Sequence, residues 1–308
     1  MWVSGTEPRR EIVTIESFSS LPLDSWSDTR TTLHLYTQIV GKVRLALARP
    51  LNHWWHVPFY VSPRGLTTSS IPDRGGDFDM EFDFFDHALV IRTSGGEVRR
   101  VALGRPVADF YQQLFAELSA LGIEPKILAR PFDPDRVKSR TPFAEDRVPR
   151  TYDGDAVRRF WQTLAGIEPI FTEFRGRFLG KCSPVHFFWH SLDLACTRFS
   201  GKRVPLPEGA DPVTRSAYSH EVISAGFWAG DDNVPEPAFY CYAAPAPDGL
   251  AEEKLGPEGA RWNDAMALYR YEDFRRASDP REALLEFLQT SYEAGARRAK
   301  WPRAELEA

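Results

Sequence analysis

The histidines are the residues in this sequence best suited to move protons, and five of the seven fall in three short segments. An imidazole titrates near neutral pH, so it can serve as a general acid or base without a large change in its pKa. Carboxylates stand close to two of the three segments. The candidate catalytic residues are His56, His190, Asp193, His220 and Glu221.

Asp193 has apolar neighbours in the sequence, namely Phe187, Trp189 and Leu192. Burial of a carboxyl group raises its pKa toward the range of a working base. The alternative is that Asp193 pairs with an arginine, and both interpretations stay open.

Strand geometry limits what two histidines of one segment can do together. On a strand, His53 and His56 point to opposite faces, so they cannot share a metal ion without a bulge. His186 and His190 share a face but are separated by about 13 Å at the usual rise per residue. We therefore expect no metal site inside one segment, while a site assembled between segments stays open.

The segment Tyr218-Ser219-His220-Glu221 is the densest set of titratable and nucleophilic groups in the chain. If it is a strand, the imidazole of His220 faces away from the side chains of Ser219 and Glu221. A Ser-His-carboxylate triad would then need groups from elsewhere in the chain.

Residues 54–61 are aromatic and β-branched, which predicts a strand whose two faces differ. One face carries His56, Tyr60, Ser62 and Arg64, together with Trp54, which would be costly to expose. We interpret this face as the wall of a polar ligand pocket. The alternative is a solvated face on which Arg64 holds a turn or a carboxylate.

A helix predicted at residues 33–48 adds a polar stripe at four-residue intervals, which is either a solvated face or a second wall of the pocket. Lysines and arginines near these segments are candidates to hold an anionic group such as a carboxylate, phosphate or sulfate. The candidate substrate-binding residues are His34, Gln38, Lys42, Trp54, Tyr60, Ser62, Arg64, Lys181, Trp189, Arg198 and Tyr218.

The remaining periodicity predicts antiparallel strands between helices, and therefore an α+β fold of antiparallel sheets with packed helices. Predicted strands lie at 78–84, 88–93, 98–103, 185–198, 218–228 and 239–243, and predicted helices at 107–121, 155–178 and 281–299. Residues 130–150 are rich in proline and charge, which predicts a linker. We expect residues 1–129 and 151–308 to be two helix-sheet-helix halves of one body.

The two halves show a weak internal similarity that is compatible with a pseudo-twofold duplication. At an offset of 134 positions, Trp55-His56 aligns with Trp189-His190 and Arg64 aligns with Arg198. If the duplication is real, two sheets would join or pack across a pseudo-twofold axis, where ligand sites are common.

Composition excludes several classes of protein. The net charge of −5 argues against a nucleic-acid binder, which needs an excess of Lys and Arg. The chain has no P-loop, GxGxxG, HExxH or GxSxG pattern, and its three cysteines form no CxxC pair. We expect a cytoplasmic protein with no membrane span, no cofactor and no metal.

Several motifs resemble those of a bacterial family of uncharacterised proteins classed as a domain of unknown function. They are Asn52-His53-Trp54-Trp55-His56-Val57-Pro58, residues 60–65, residues 183–189 and Tyr218-Ser219-His220-Glu221. The likeness covers about residues 18–300 and implies no established activity. This chain has His190 where the family usually has glycine, which suggests a variant whose site is altered for its own substrate.

These features favour a metal-independent enzyme that acts on a small polar or anionic substrate by general acid/base chemistry. One version is natural-product tailoring, in which an amine displaces a sulfate or phosphate group within the same molecule. The alternatives are a non-catalytic module that binds a small molecule or a protein partner, a second copy of this chain included, and a metal-dependent enzyme.

Overall fold

A computed structural model describes residues 18–133, 135, 137–206, 208–231 and 234–308, which form an α+β fold as the sequence predicts. The α-helices are α1 Ser27–Leu47, α2 Val107–Ala120, α3 Gly154–Gly176, α4 Pro212–Ala217, α5 Tyr271–Arg276, α6 Pro280–Arg298 and α7 Arg303–Leu306. Within these ranges, no helix has the length and apolarity that crossing a bilayer requires.

The first sheet has the strand order β1-β2-β4-β5-β6, with β3 paired to β4. Its strands are β1 Tyr60–Ser62, β2 Gly65–Thr67, β3 Ile71–Asp73, β4 Gly76–Asp83, β5 Ala88–Thr93 and β6 Val98–Ala102. All pairs are antiparallel, and the predicted hairpin of β5 and β6 is confirmed.

The second sheet has the order β11-β12-β10-β9-β8-β7 and is also antiparallel. Its strands are β7 His186–Phe188, β8 Asp193–Arg203, β9 His220–Trp228, β10 Ala238–Ala244, β11 Arg261–Asn263 and β12 Met266–Arg270. Each half of the chain therefore starts with a long helix and continues into a six-stranded antiparallel sheet.

The two sheets meet at Phe59, which directly precedes β1, and at Phe187, the middle residue of β7. Each residue donates its backbone N–H to the carbonyl of the other, and both N···O distances are 2.8 Å. Both side chains are fully buried in a core that draws residues from the two halves. The two sheets therefore join, while the duplication itself stays a prediction. Of the arginines aligned at the offset of 134, Arg64 lies in an exposed turn and Arg198 lies inside β8, so their positions in the fold are not equivalent.

Helix α1 is buried on nearly all sides, which the stripe of polar residues did not suggest. His34 and Gln38 have no exposed surface, and Gly41 allows the ring of Trp189 to lie against the helix backbone. The indole N–H of Trp189 donates to the carbonyl of Val57 at 2.9 Å. This packing fixes the end of α1 against the junction.

The segment predicted as a linker contributes to the core. Phe143 is fully buried, and the carboxylate of Asp146 accepts two hydrogen bonds from Arg150, at 3.0 and 3.1 Å. The amide side chain of Gln38 donates to the carbonyl of Phe132 and accepts from its N–H, at 3.0 and 2.7 Å.

Candidate functional site

The turn between α1 and β1 is the most constrained piece of backbone near the junction. His53 and Trp54 both have left-handed backbone angles, with φ of 56° and 61°. Such angles are unusual for large side chains and tend to persist where the surroundings impose them, often at functional sites. The strand predicted from Trp54 is therefore wrong up to Phe59, and β1 begins at Tyr60.

Helix α4 of the second half holds this turn from outside. The N–H of His53 donates to Oγ of Ser216 at 3.0 Å, and the indole of Trp54 donates to the carbonyl of Pro212 at 3.2 Å. The side chain of Asp211 caps α4 by accepting from the N–H groups of Val213 and Thr214. The Asp211 cap therefore stabilises the short helix that holds the turn at His53 and Trp54.

The tautomer of His53 follows from its partners. Its Nδ1 lies 2.9 Å from the carbonyl oxygen of Ser216, which can only accept, so Nδ1 carries a proton. In the neutral ring Nε2 then has a free lone pair, and it accepts from Nζ of Lys181 at 2.7 Å. Burial, followed by the charge of Lys181, lowers the pKa of His53, so the ring is a neutral base at pH 7.

Lys181 precedes a short stretch of chain that pairs with β8. Its amine lies 5.3 Å from the ring centroids of both Trp55 and Phe199, a cation–π arrangement. Partial burial lowers the pKa of the amine. The ring of His220 lies 5.8 Å from that of His53, and its Nδ1 is 3.0 Å from Oγ of Ser219. We call His53, Lys181 and His220 the imidazole–amine cluster.

A second group lies on the other side of Trp55. The guanidinium of Arg44 belongs to a side chain that is 6% exposed, and its Nε and Nη1 have no hydrogen-bond partner among the described residues. The ring of His186 is 6.2 Å from that of Trp55, and its Nε2 is 3.4 Å from the hydroxyl of Tyr60. We call Arg44, His56, Tyr60 and His186 the buried-arginine cluster.

The electrostatics of the buried-arginine cluster keep its histidines neutral. Burial and then the charge of Arg44 lower the pKa of His186 to about 3. Burial also lowers the pKa of His56, and Arg44 lowers it further. Nδ1 of His56 accepts from the N–H of Leu51 at 3.1 Å, so the neutral ring of His56 carries its proton on Nε2. His53 thus offers a lone pair, while His56 offers a hydrogen-bond donor.

The family to which the chain belongs is settled by a match over nearly its whole length. The model of a family of unknown function, DUF5996, matches residues 18–308. This chain is a DUF5996 protein. No curated protein and no solved structure matches it. The predicted resemblance to a family of unknown function is confirmed, and the match includes both clusters of the DUF5996 chain.

Four of the residues predicted from the sequence meet away from these clusters, between α1 and the β7–β8 turn of the DUF5996 chain. Nε2 of His34 lies 3.1 Å from the carbonyl oxygen of His190, and the ring of His190 packs on Phe132 and Trp189. His34 and Gln38 are buried and Trp189 is 5% exposed, so this arrangement holds the junction together and does not form an open cleft wall.

Asp193 and Glu221 are also separate from the two clusters. Asp193 accepts hydrogen bonds from the hydroxyls of Ser191 and Tyr240, so its partners are not arginines, and its role as a base stays a prediction. Glu221 accepts from Ser200 at 2.8 Å and lies 3.8 Å from the amine of Lys202. As predicted, Glu221 does not orient His220. Ser219 does contact the imidazole of His220, because Ser219 precedes β9 and is not part of the alternation of side chains along that strand.

The remaining predicted binding residues have structural partners, with one exception. Arg64 pairs with Asp83 at 2.5 Å, which matches the alternative that it holds a carboxylate, and Ser62 donates to Glu81 at 2.6 Å. The guanidinium of Arg198 is buried 3.5 Å from the ring centroid of Phe174, and the hydroxyl of Tyr218 lies 3.1 Å from that of Tyr242. Lys42 is half-buried and forms no ion pair with a described residue.

The sequence interpretation missed Arg44, His53 and His186 as site residues. Arg44 lies four residues after Val40 and therefore on a buried side of α1. A charged residue among the apolar positions of a helix can be detected in the sequence and indicates a candidate site. On the predicted strand, His53 would lie on the face opposite to His56, so the strand interpretation does not place it in the pocket wall. Across the described ranges, no three His, Cys, Asp or Glu side chains are grouped so that they could hold a metal ion.

Proposed function

We propose that this protein is an acid/base enzyme that acts on a small anionic substrate at the junction of its two sheets. The observation that carries the proposal is the buried guanidinium of Arg44, which has no carboxylate partner among the described residues. A buried charge without a partner costs several kcal/mol in stability. An anionic group of the substrate is the partner that would compensate this cost.

The imidazole–amine cluster supplies the proton chemistry. Nε2 of His53 carries the lone pair that accepts a proton once Lys181 gives up its hydrogen bond to this atom, and the carbonyl of Ser216 holds the ring in that tautomer. The ammonium of Lys181, at 2.7 Å, offsets negative charge that develops beside it and can return a proton. Trp55 and Phe199 lie beside the amine of the exposed Lys181, and their ring faces stabilise its positive charge.

The narrower version is the displacement of a sulfate or phosphate group by an amine of the same molecule. The amine nitrogen forms a bond to carbon, the carbon–oxygen bond breaks, His53 takes the nitrogen-bound proton, and the anion leaves on Arg44. A cytoplasmic role in natural-product tailoring belongs to this version. The cytoplasmic location accords with the three cysteines, which are free thiols, because the cytoplasm is a reducing compartment.

Anion binding tests the proposal directly. We would measure thermal unfolding of the wild-type protein in increasing sulfate, phosphate and acetate, at fixed ionic strength. An anion at 100 times its dissociation constant stabilises the folded state by about 2.7 kcal/mol. We expect this stabilisation in the wild type and in the control Arg64→Met, whose guanidinium is ion-paired at the surface.

In Arg44→Met the stabilisation should disappear, while stability without anion is retained or increased, because an uncompensated buried charge is removed. A response to anions that is the same in Arg44→Met and in the wild type would contradict the proposal. The base is tested by the NMR signals of the His53 ring, which should move when the anion binds. Anion binding that leaves these signals unchanged would favour a non-catalytic binding module.

A further inference from the structure

Two of the three cysteines lie close together although the sequence places them 14 residues apart. Sγ of Cys182 is 3.6 Å from Sγ of Cys196. Cys182 pairs across strands with Arg198, and Cys196 lies two residues before Arg198 on the same face of β8. The two thiols are therefore diagonal neighbours on paired strands, a position from which side chains reach each other.

The two thiols differ in ways that suit a nucleophile and a resolving partner. Cys182 is partly exposed and Cys196 is buried. A hydrogen bond from Cys196 is the main cause that lowers the pKa of Cys182, and the nearby charges of Arg198 and Arg175 lower it further. A thiolate attacks peroxides, whereas a protonated thiol does not. The third cysteine, Cys241, is buried, and burial raises its pKa to about 11.

We propose that Cys182 and Cys196 are a dithiol that hydroperoxides oxidise to an intrachain disulfide. In the first step the Cys182 thiolate attacks the peroxide, an S–O bond forms and the O–O bond breaks, and the departing oxygen takes a proton to give water or an alcohol. In the second step Cys196 loses its proton and attacks the Cys182 sulfenic acid, the S–S bond forms, and water leaves. The two thiols lose two electrons and the peroxide gains them.

The movement needed is small. A disulfide has an S–S distance of about 2.05 Å, so the sulfurs must approach by roughly 1.5 Å, through rotation of the two side chains and a shift of the paired backbones, since diagonal neighbours lie about 7–8 Å apart. Cys182 directly follows Lys181 in the chain. Oxidation therefore acts next to the amine of the imidazole–amine cluster, although the inference does not depend on the proposed enzymatic function.

Thiol counting tests the inference. We would treat the reduced full-length protein with hydrogen peroxide, count free thiols under denaturing conditions, and locate the linked peptides by mass spectrometry. We expect free thiols to fall from three to one per chain, with the linkage between residues 182 and 196. The control Cys241→Ser should fall from two to none with the same linkage.

The single variants separate the two steps. Cys196→Ser should stop at a sulfenic acid on Cys182 that dimedone traps, and Cys182→Ser should form no disulfide. Retention of three thiols at peroxide concentrations that oxidise a free cysteine peptide would overturn the inference. A disulfide that joins two chains, or that includes Cys241, would also overturn it.

Discussion

The amine of Lys181 lies 2.7 Å from Nε2 of His53, although 128 residues separate the two in the chain. The carbonyl of Ser216 accepts the hydrogen bond from the Nδ1–H group of the imidazole. Nε2 therefore carries a lone pair, and the Lys181 amine is the donor in this contact. An ammonium beside an imidazole opposes protonation of the ring, because two like charges would then be adjacent. Lys181 forms no ion pair with a described carboxylate that would cancel this effect.

Replacement of Lys181 by methionine should raise the pKa of His53. The variant removes the positive charge but keeps an apolar side chain between Trp55 and Phe199. NMR titration of the imidazole measures the change. Lys202→Met is the control, since Lys202 lies beside Glu221, and it should leave the pKa of His53 unchanged. An unchanged pKa in Lys181→Met would mean that the amine does not lie beside the ring.

Stability should fall as the pH drops below neutrality. His186 has a pKa of about 3 in the folded protein and about 6.5 when unfolded, so the unfolded chain binds the proton more readily. Its contribution is present above pH 6.5 and is lost as the pH falls toward 3. His186 alone should cost about 2 kcal/mol between pH 7 and pH 5, and His53 and His56 change stability in the same direction.

Urea unfolding at the two pH values measures this loss. His186→Gln is the comparison, because glutamine does not titrate, and its loss should be smaller by the contribution of His186. An equal loss in the variant and in the wild type would contradict the assignment.

Gly41→Ala should destabilise the protein by about 1–3 kcal/mol, the usual cost of overpacking a core. A methyl group at this position would lie 2.3 Å from the ring of Trp189, whose indole is itself held by Val57. The control is Gly176→Ala at the end of α3, where a methyl group meets no atom within 4 Å, and it should gain up to about 1 kcal/mol. Similar effects of the two substitutions on the free energy of unfolding would count against the close packing of α1.

Asp211→Ala should make the turn at His53 less rigid, although Asp211 is not part of that turn. The variant removes the cap of α4, which typically costs about 1 kcal/mol, and α4 carries Ser216. Hydrogen exchange of the His53 amide, which donates to Ser216, should become faster. Asp153→Ala removes the equivalent cap from α3 and should leave this amide unchanged. If the His53 amide exchanges at the same rate in Asp211→Ala and Asp153→Ala, α4 does not hold the turn.

The longer helices α1, α2, α3 and α6 and most strands could be predicted from the sequence because their periodicity is strong, whereas the short helices α4, α5 and α7 were not predicted. The hairpin of β5 and β6 and helix α2 lie within one residue of the predicted ranges, whereas helix α1 starts six residues before its predicted range. The turn at residues 52–57 could not be predicted, because its aromatic composition is typical of strands. Its left-handed backbone at His53 and Trp54 depends on contacts with α4, which lies more than 150 residues away in the chain.

The candidate site was predicted in part. Among the predicted residues, four lie in the two clusters, namely His56, Tyr60, Lys181 and His220. Arg64 and Arg198 carry equally suitable charges, but Arg64 already pairs with a carboxylate, and Arg198 donates to the carbonyl of Phe174 and lies among aromatic rings. Residue type alone does not distinguish an arginine with a partner from Arg44, which has none among the described residues.

The reciprocal pair of Phe59 and Phe187 has a consequence for folding. Until the second half of the chain is complete, the outer edge of β1 has backbone donors and acceptors that nothing covers, and such an edge promotes association between chains. A fragment that ends near residue 150 would lack both this cover and the amine that faces His53. It should therefore aggregate, and neither half expressed alone should bind anions as the whole protein does.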